Sequence, residues 1–173
     1  MTRTVTTILV PTDFSEPSDA ALDYAATLAA KVGASLHLLH VFEDPYVTGG
    51  AFAAEMYAPI GPDLRESLYQ EAKARLAGRL VKIGGARFNA TAEVYSGPTA
   101  KAIAEYAKKN GVDLIVMATH GRGGMAHLLL GSVAERVVRT APCPVLTIRT
   151  ATALEPATTF EPSAAVEPAA AAA

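Results

Sequence analysis

The sequence predicts an α/β domain built on a doubly wound, five-stranded parallel sheet in the order 3-2-1-4-5, with helices on both faces. Three observations predict it. Five short apolar runs alternate with longer amphipathic stretches along residues 5–149, the pattern of repeated βαβ units. The first of them, "TTILVP", suits a strand buried on both faces. Right-handed crossovers then leave few topologies besides a doubly wound sheet.

Each element has its own local reason. "TTILVP" is a β-branched run ended by proline. Helix one follows, with Ser15 as N-cap, Pro17 in the first turn and Gly33 as the stop. Its apolar face is Leu22, Ala25, Ala26, Leu28, Ala29 and Val32. "SLHLLHVF" is strand two, and the glycine- and proline-bearing stretch from Glu43 to Gly61 reads as a long loop. A helix from about Pro62 to Ile83 carries Leu64, Leu68, Ala72, Leu76 and Leu80 on one face. "TAEVYS" is strand three, and "PTAKAIAEYAKKNG" is a helix begun by proline and stopped by Gly111. "DLIVMA" is strand four, "SVAERVVRTA" a short helix and "PVLTIR" strand five.

Composition sets bounds on function. The 173 residues are 50% hydrophobic and 18% charged, which suits one globular unit. No run reaches the roughly 18 apolar residues of a membrane span, and the N-terminus lacks the apolar core of a secretory signal. The net charge of −2 argues for neither nucleic acid nor an acidic membrane as partner. Cys143 is the one cysteine; it fits a reducing, cytoplasmic setting and reads as a small buried residue between two prolines. The three glutamates of residues 151–173 recur in "LEPATT", "FEPSAA" and "VEPAAA". Proline at that spacing forbids a continuous helix, so residues 150–173 are expected to be a disordered Ala/Glu/Pro-rich tail after a domain of residues 1–149.

In a doubly wound sheet a ligand sits beyond the carboxyl ends of the strands, where strand order reverses. For order 3-2-1-4-5 that point lies between strands one and four. Pro11, Thr12 and Asp13 follow strand one, and "MATHGRGGMAHLLLGS" runs from Met117 at the end of strand four. No Walker loop is present. "GRGGMA" matches the dinucleotide pattern, but it follows the fourth strand, and no carboxylate stands about 20 residues on to hold a ribose. A different spacing fits: Gly121, nine residues, then Gly131-Ser132 opening a helix. Gly121 permits a tight turn beside a ligand, and the helix start offers free N–H groups and a positive dipole end to phosphate. Arg122 lies near the loop, and Leu128 to Leu130 fold back as an apolar anchor. On spacing alone, a second reading stands equally: Ser132 caps the helix and the glycines make a turn.

The segments "ILVPTDFSEPSDAAL", "LHLLHV" and "DLIVMATHGRGGMAHLLLGSVAERVVRTAPCPVLTIR" resemble the universal stress protein family over residues 4 to 149. ATP-binding members of that family carry glycine, two residues, glycine, nine residues, then glycine with serine or threonine. That register falls on Ala118, Gly121, Gly131 and Ser132, with alanine at the first glycine. The resemblance implies that Pro11, Thr12 and Asp13 meet the nucleoside and that the Val41 backbone reads the adenine edge. It further implies that Gly121 and Arg122, with Ser132 and Val133, contact the phosphates; Ala118, Thr119, His120 and Ala134 complete the expected binding set. If residue 118 needs a positive φ, its Cβ costs on the order of 1 kcal/mol; at negative φ the change is nearly neutral. Ala118→Gly is expected to tighten ATP binding modestly.

His37 and His40 stand three apart on strand two, so they point to opposite faces and read as core or edge histidines rather than a metal pair. His120 reads as a ligand contact or a backbone support, His127 as solvent-facing. The alternative role of Asp13 is to cap the turn into helix one. Three function classes follow. The first is a stress-response protein that binds ATP (or ADP or AMP), with or without magnesium, and acts through occupancy and an unidentified protein partner, with little hydrolysis. The second is a nucleotide-free dimeric scaffold or chaperone-like protein, and the third a slow ATPase. No catalytic residue and no protein metal site is assigned. The last strand, short and apolar, is expected to pair with its copy across a homodimer through Val145 to Ile148.

Overall fold

The computed structural model describes residues 4–43, 61–119 and 130–149. Its sheet has five strands, β1 (Thr7–Pro11), β2 (Ser35–Phe42), β3 (Thr91–Ser96), β4 (Leu114–Ala118) and β5 (Val145–Ile148). Their order is β3-β2-β1-β4-β5, and every neighbouring pair is parallel. The described helices are α1 (Glu16–Val32), α2 (Pro62–Lys82), α3 (Thr99–Lys109) and α4 (Ser132–Thr140), with a single 3₁₀ turn at Gly85–Phe88. The fold class and strand order are those predicted.

Two cores lie on opposite faces of the sheet, and strand alternation assigns residues to them. Ile8 and Val10 with Leu36 and Leu38 pack under α1 and α2, against Leu22, Ala25, Ala29, Ala72 and Leu76. Leu9, Leu39, Ile115 and Met117 pack under α3 and α4, against Ile103, Tyr106, Ala134 and Val137. Sinking both faces of β1 and β4 accounts for their unbroken apolar runs. Small side chains on α1 (Ala21, Ala25, Ala29) let that helix lie close to the sheet.

Helix α1 begins and ends as its sequence dictates. Ser15 is the N-cap and its side chain accepts from Ser18 N; Gly33 stops the helix with φ 71°, its N–H bonded to Ala29 O. Two parts of the predicted faces are not buried. Val32 is exposed at the last turn of α1, beyond the reach of the sheet. On α2 only Ala72 and Leu76 are buried, and Leu64 is 55% exposed. The physical reason is length: 21 residues of helix span about 30 Å, whereas β3, the six-residue edge strand under it, covers roughly 20 Å. The first turns of α2 therefore extend past what the sheet can cover. Phe88, in the 3₁₀ turn, is buried in the first core; four residues are too few to show a period in sequence. Cys143 is half-buried against the second core, more open than expected.

Candidate functional site

Order reverses between β1 and β4, which neighbour each other at the sheet centre, so the crevice lies beyond Pro11 and Ala118. Three chain segments border it: residues 11–14, the end of β2, and the junction of β4 with α4.

On the β1 side, Thr12 is buried, and its N–H donates to Leu39 O at 2.8 Å. Its hydroxyl lies 3.0 Å from that of Ser18 and accepts from Phe14 N at 3.0 Å. Asp13 accepts from the N–H of Ser15 at 3.1 Å and from its hydroxyl. The carboxylate thus fastens the turn into α1, the alternative role given to it from sequence. Phe14 takes φ 66°, a left-handed conformation that is an outlier for a bulky side chain.

The Val41 backbone can be placed from the ladder. In a parallel pair, one residue turns both N–H and C=O to the same neighbour, and the next residue turns them to the other. Leu39 O faces β1, where it accepts from Thr12 N; Phe42 O faces β3, where it accepts from Gly97 N at 3.1 Å. Val41, two residues past Leu39, therefore turns its N–H and C=O to the β1 side. The β1 register ends at the pair Pro11 with Leu39, so Val41 faces the space beyond it. That space is where the resemblance expects an adenine edge.

The β4 side is closed by a clasp. Thr119 N donates to Ile148 O at 3.0 Å, and Gly131 N donates to Thr119 O at 2.8 Å. The two ends of the glycine-bearing segment are thereby fixed to each other and to β5. Gly131, with φ −70° and ψ 154°, is the N-cap of α4, and no side chain caps that end. The first helical bond runs from Glu135 N to Gly131 O at 2.9 Å, leaving the N–H groups of Ser132, Val133 and Ala134 ahead of the helical ladder. Ser132 is therefore the first helical residue and Gly131 the cap, whereas the turn assigned to the glycines of residues 121–124 lies outside the described residues. Ala134 is buried, Ser132 and Val133 are exposed, and Leu130 packs half-buried on the second core, as an anchor would. Ala118 ends β4, buried and paired with Ile148; among described non-glycine residues only Phe14 and Asn89 have positive φ. His120, Gly121, Arg122, His127 and the two leucines before Leu130 lie outside the described residues.

The histidines of β2 do face opposite sides. His37 Nδ1 lies 3.1 Å from the Tyr106 hydroxyl of α3, edge-on to its ring, and burial lowers its pKa below 6.5, partly offset by Glu93. His40 Nδ1 lies 2.8 Å from Thr12 O, so it supports the β1 turn. Sequence reasoning missed this support, and it missed Glu43. The Glu43 carboxylate accepts from Thr99 N and Thr99 Oγ1, both at 2.6 Å, capping α3 from across the sheet in place of a local side chain. Between α3 and α4 lies a cavity of about 340 Å³ whose walls include Thr99, Lys101, Val133 and Arg136. Among the described residues it shares only Val133 with the predicted site. The strand-end crevice, by contrast, is bordered by backbone donors of two elements, Val41 of β2 and Ser132 to Ala134 at the start of α4.

Comparison with known proteins agrees with this architecture. The family model for the universal stress protein family matches residues 4–149. Universal stress protein MJ0531 of Methanocaldococcus jannaschii is 36% identical over 143 residues, 82% of this chain and 81% of that protein. Among solved structures, protein MJ0577 superposes with a TM-score of 0.72 at 27% identity, covering 87% of this chain and all of that one. A universal stress protein solved in complex with cAMP shares the fold, with a TM-score of 0.62 at 24% identity over 86% of this chain and 100% of that one. By its fold, its strand-end crevice and the family model spanning all but its ends, the chain belongs to the universal stress protein family.

Proposed function

We propose that the protein binds an adenine nucleotide, ATP foremost, in the crevice between β1 and β4, and acts through occupancy and partner contacts rather than turnover. The observation that carries this reading is the Thr119–Gly131 clasp beside an uncapped α4. It sets the N–H groups of Ser132, Val133 and Ala134 next to the end of β4, where a helix start favours anionic oxygen. Opposite them, Thr12, Asp13 and the outward-turned Val41 backbone suit a nucleoside. The fold holds a cyclic adenine nucleotide in a relative. Gly121 and Arg122 complete the phosphate contacts in this proposal. Among the described residues no three His, Cys, Asp or Glu side chains converge on a cation position, so a magnesium ion would be carried by the nucleotide's own phosphates.

The acids and bases bordering the crevice favour binding over hydrolysis. Asp13 is engaged by Ser15, His40 Nδ1 by the Thr12 carbonyl, and Glu43 by Thr99. Phosphoryl transfer needs a nucleophile positioned and transition-state charge stabilised, and donors that serve ground and transition states alike do not accelerate it. A homodimer through β5 belongs to the same proposal. Val145 to Ile148 are all half-buried, and the strand pairs with β4 on one side. Among described residues no helix is long and apolar enough to cross a membrane; with a single cysteine, we place the protein in the cytoplasm. Mass spectrometry of nucleotide released from freshly purified protein tests the reading, with ATP, ADP or AMP expected. Calorimetry showing no heat with any of the three up to millimolar concentration overturns it. Brisk phosphate release that is lost in Arg122→Ala would make the protein an enzyme instead.

A further inference from the structure

Phe14 is held in its left-handed conformation from four directions. Its N–H is bonded to Thr12 Oγ1, and its carbonyl accepts from Arg79 Nη2 at 3.2 Å. Its ring lies 4.3 Å from that of His40, tilted by 32°. The guanidinium carbons of Arg75 and Arg79 stand 4.1 and 4.8 Å from the ring centroid. Arg79 is itself fixed, with its Nε and Nη2 on the two oxygens of Asp19 at 2.6 and 3.2 Å. A strained backbone of this kind persists only where its surroundings over-determine it, and here they converge on the residue directly after Thr12 and Asp13. His40 adds a second tie, since its Nδ1 meets the Thr12 carbonyl while the next residue is Val41.

We propose that Arg79 and His40 are positioning residues for the nucleotide: Arg79 holds Phe14 left-handed, His40 fastens Thr12 to β2, and together they set residues 11–13 and the Val41 backbone as one rigid base-and-ribose site. This rests on the nucleotide-binding reading. Neither side chain needs to touch the ligand. Arg79 reaches the site from α2, 65 residues along the chain from Phe14, so a disturbance of α2 is transmitted to the Phe14 backbone through this guanidinium, while Arg75 of the same helix touches only the ring. Arginine suits the task because two nitrogens of its rigid planar fork meet both Asp19 oxygens while one of them also reaches the Phe14 carbonyl, a fixed span that the single nitrogen of an ammonium group does not reproduce.

The test is a double-mutant cycle read by ATP calorimetry and thermal melting, using Arg79→Ala, Phe14→Gly and both together. Arg79→Ala is expected to raise the ATP Kd roughly tenfold, equivalent to about 1.4 kcal/mol. Glycine takes φ 66° without strain, so in the Phe14→Gly background the same change is expected to alter Kd less than about threefold. Loss of the Asp19 pair lowers Tm similarly in both backgrounds, which separates positioning from mere stability. Arg79→Lys keeps a cation for Asp19 but loses the rigid two-nitrogen fork that ties Asp19 to the Phe14 carbonyl; it serves if the alanine variant fails to fold, and a parent-like Kd in it overturns the proposal. An equal Kd effect of Arg79→Ala in both backgrounds, or none in either, also overturns it. A parent protein that binds no ATP, ADP or AMP defeats the nucleotide reading itself, whereas a binding parent with an indifferent Arg79 defeats only the positioning.

Discussion

Ala118→Gly restores the glycine that ATP-binding relatives are expected to carry, and the structure changes what should follow. From sequence, tighter binding would come from relief of a left-handed backbone or from closer approach of ligand. Ala118 ends β4 and is not among the residues with positive φ, so there is no left-handed strain to relieve. Its methyl is buried, with the residue 9% exposed. Removing it forfeits about 0.8 kcal/mol of apolar burial, and glycine in a strand costs roughly a further 0.5–1 kcal/mol. We therefore expect a loss of about 1.5 kcal/mol, which lowers Tm by roughly 3–6 °C for a domain of this size. The ATP Kd should move by less than about threefold, since 1.4 kcal/mol is needed for tenfold. Calorimetry gives Kd, and melts with and without saturating nucleotide give the stability difference and the ligand-linked shift. A tenfold tightening with unchanged Tm would refute the reasoning, because it would mean that the methyl opposes the ligand directly.

Gly131→Val should weaken ATP binding at least tenfold while the domain stays folded, because φ −70° and ψ 154° admit a branched residue without backbone strain; equal affinity by calorimetry would place the ligand elsewhere. His37 gives a pH signature: burial lowers its folded pKa below 6.5, so the unfolded chain takes up protons first and stability falls as pH drops from 7 through 6.5 toward the folded value. Urea melts should show that acid slope flattened in His37→Gln, and an unchanged slope would assign it to other groups. For assembly, light scattering should give a dimer mass, and Leu146→Lys on the edge strand should shift it toward monomer; a monomer mass for the parent, with or without ATP, rules the β5 interface out.

What sequence made legible here is mostly what neighbours along the chain decide. Ser15, Pro17 and Gly33 bound α1 because capping and stop signals act within one turn. The runs of β1 and β4 betray burial on both faces because, Thr7 apart, each residue in them is apolar. What escaped depends on partners far apart in the chain. Phe14 gives no local sign of a positive φ, since an aromatic residue is among the least suited to it; the cause is Arg79, His40 and Thr12 acting together. Glu43 looks like a loop acid until β2 and β3, paired side by side, bring it to the start of α3. On α2 the period of Leu64, Leu68, Ala72, Leu76 and Leu80 was correct, but a period shows only which residues share a face. Whether a sheet reaches far enough to cover that face is a matter of strand length.

The same distinction bears on how the crevice is built. Its predicted donors are backbone groups of Val41 and Ser132 to Ala134, which no side-chain inventory reveals. Parallel pairing supplies them: a strand that outlasts its neighbour leaves alternate residues facing past the neighbour's end, and β2 outlasts β1 beyond Leu39. On the other side, a hydrogen bond from Gly131 to Thr119 brings a helix start to the end of β4. The motif spacing is thus the length of chain that leaves β4 and returns to it, and Gly131 at its far end supplies the N–H that closes the circuit. A side chain at 131 leaves that N–H in place but projects beside the free donors of α4. This is why Gly131→Val is expected to act on the ligand and spare the fold.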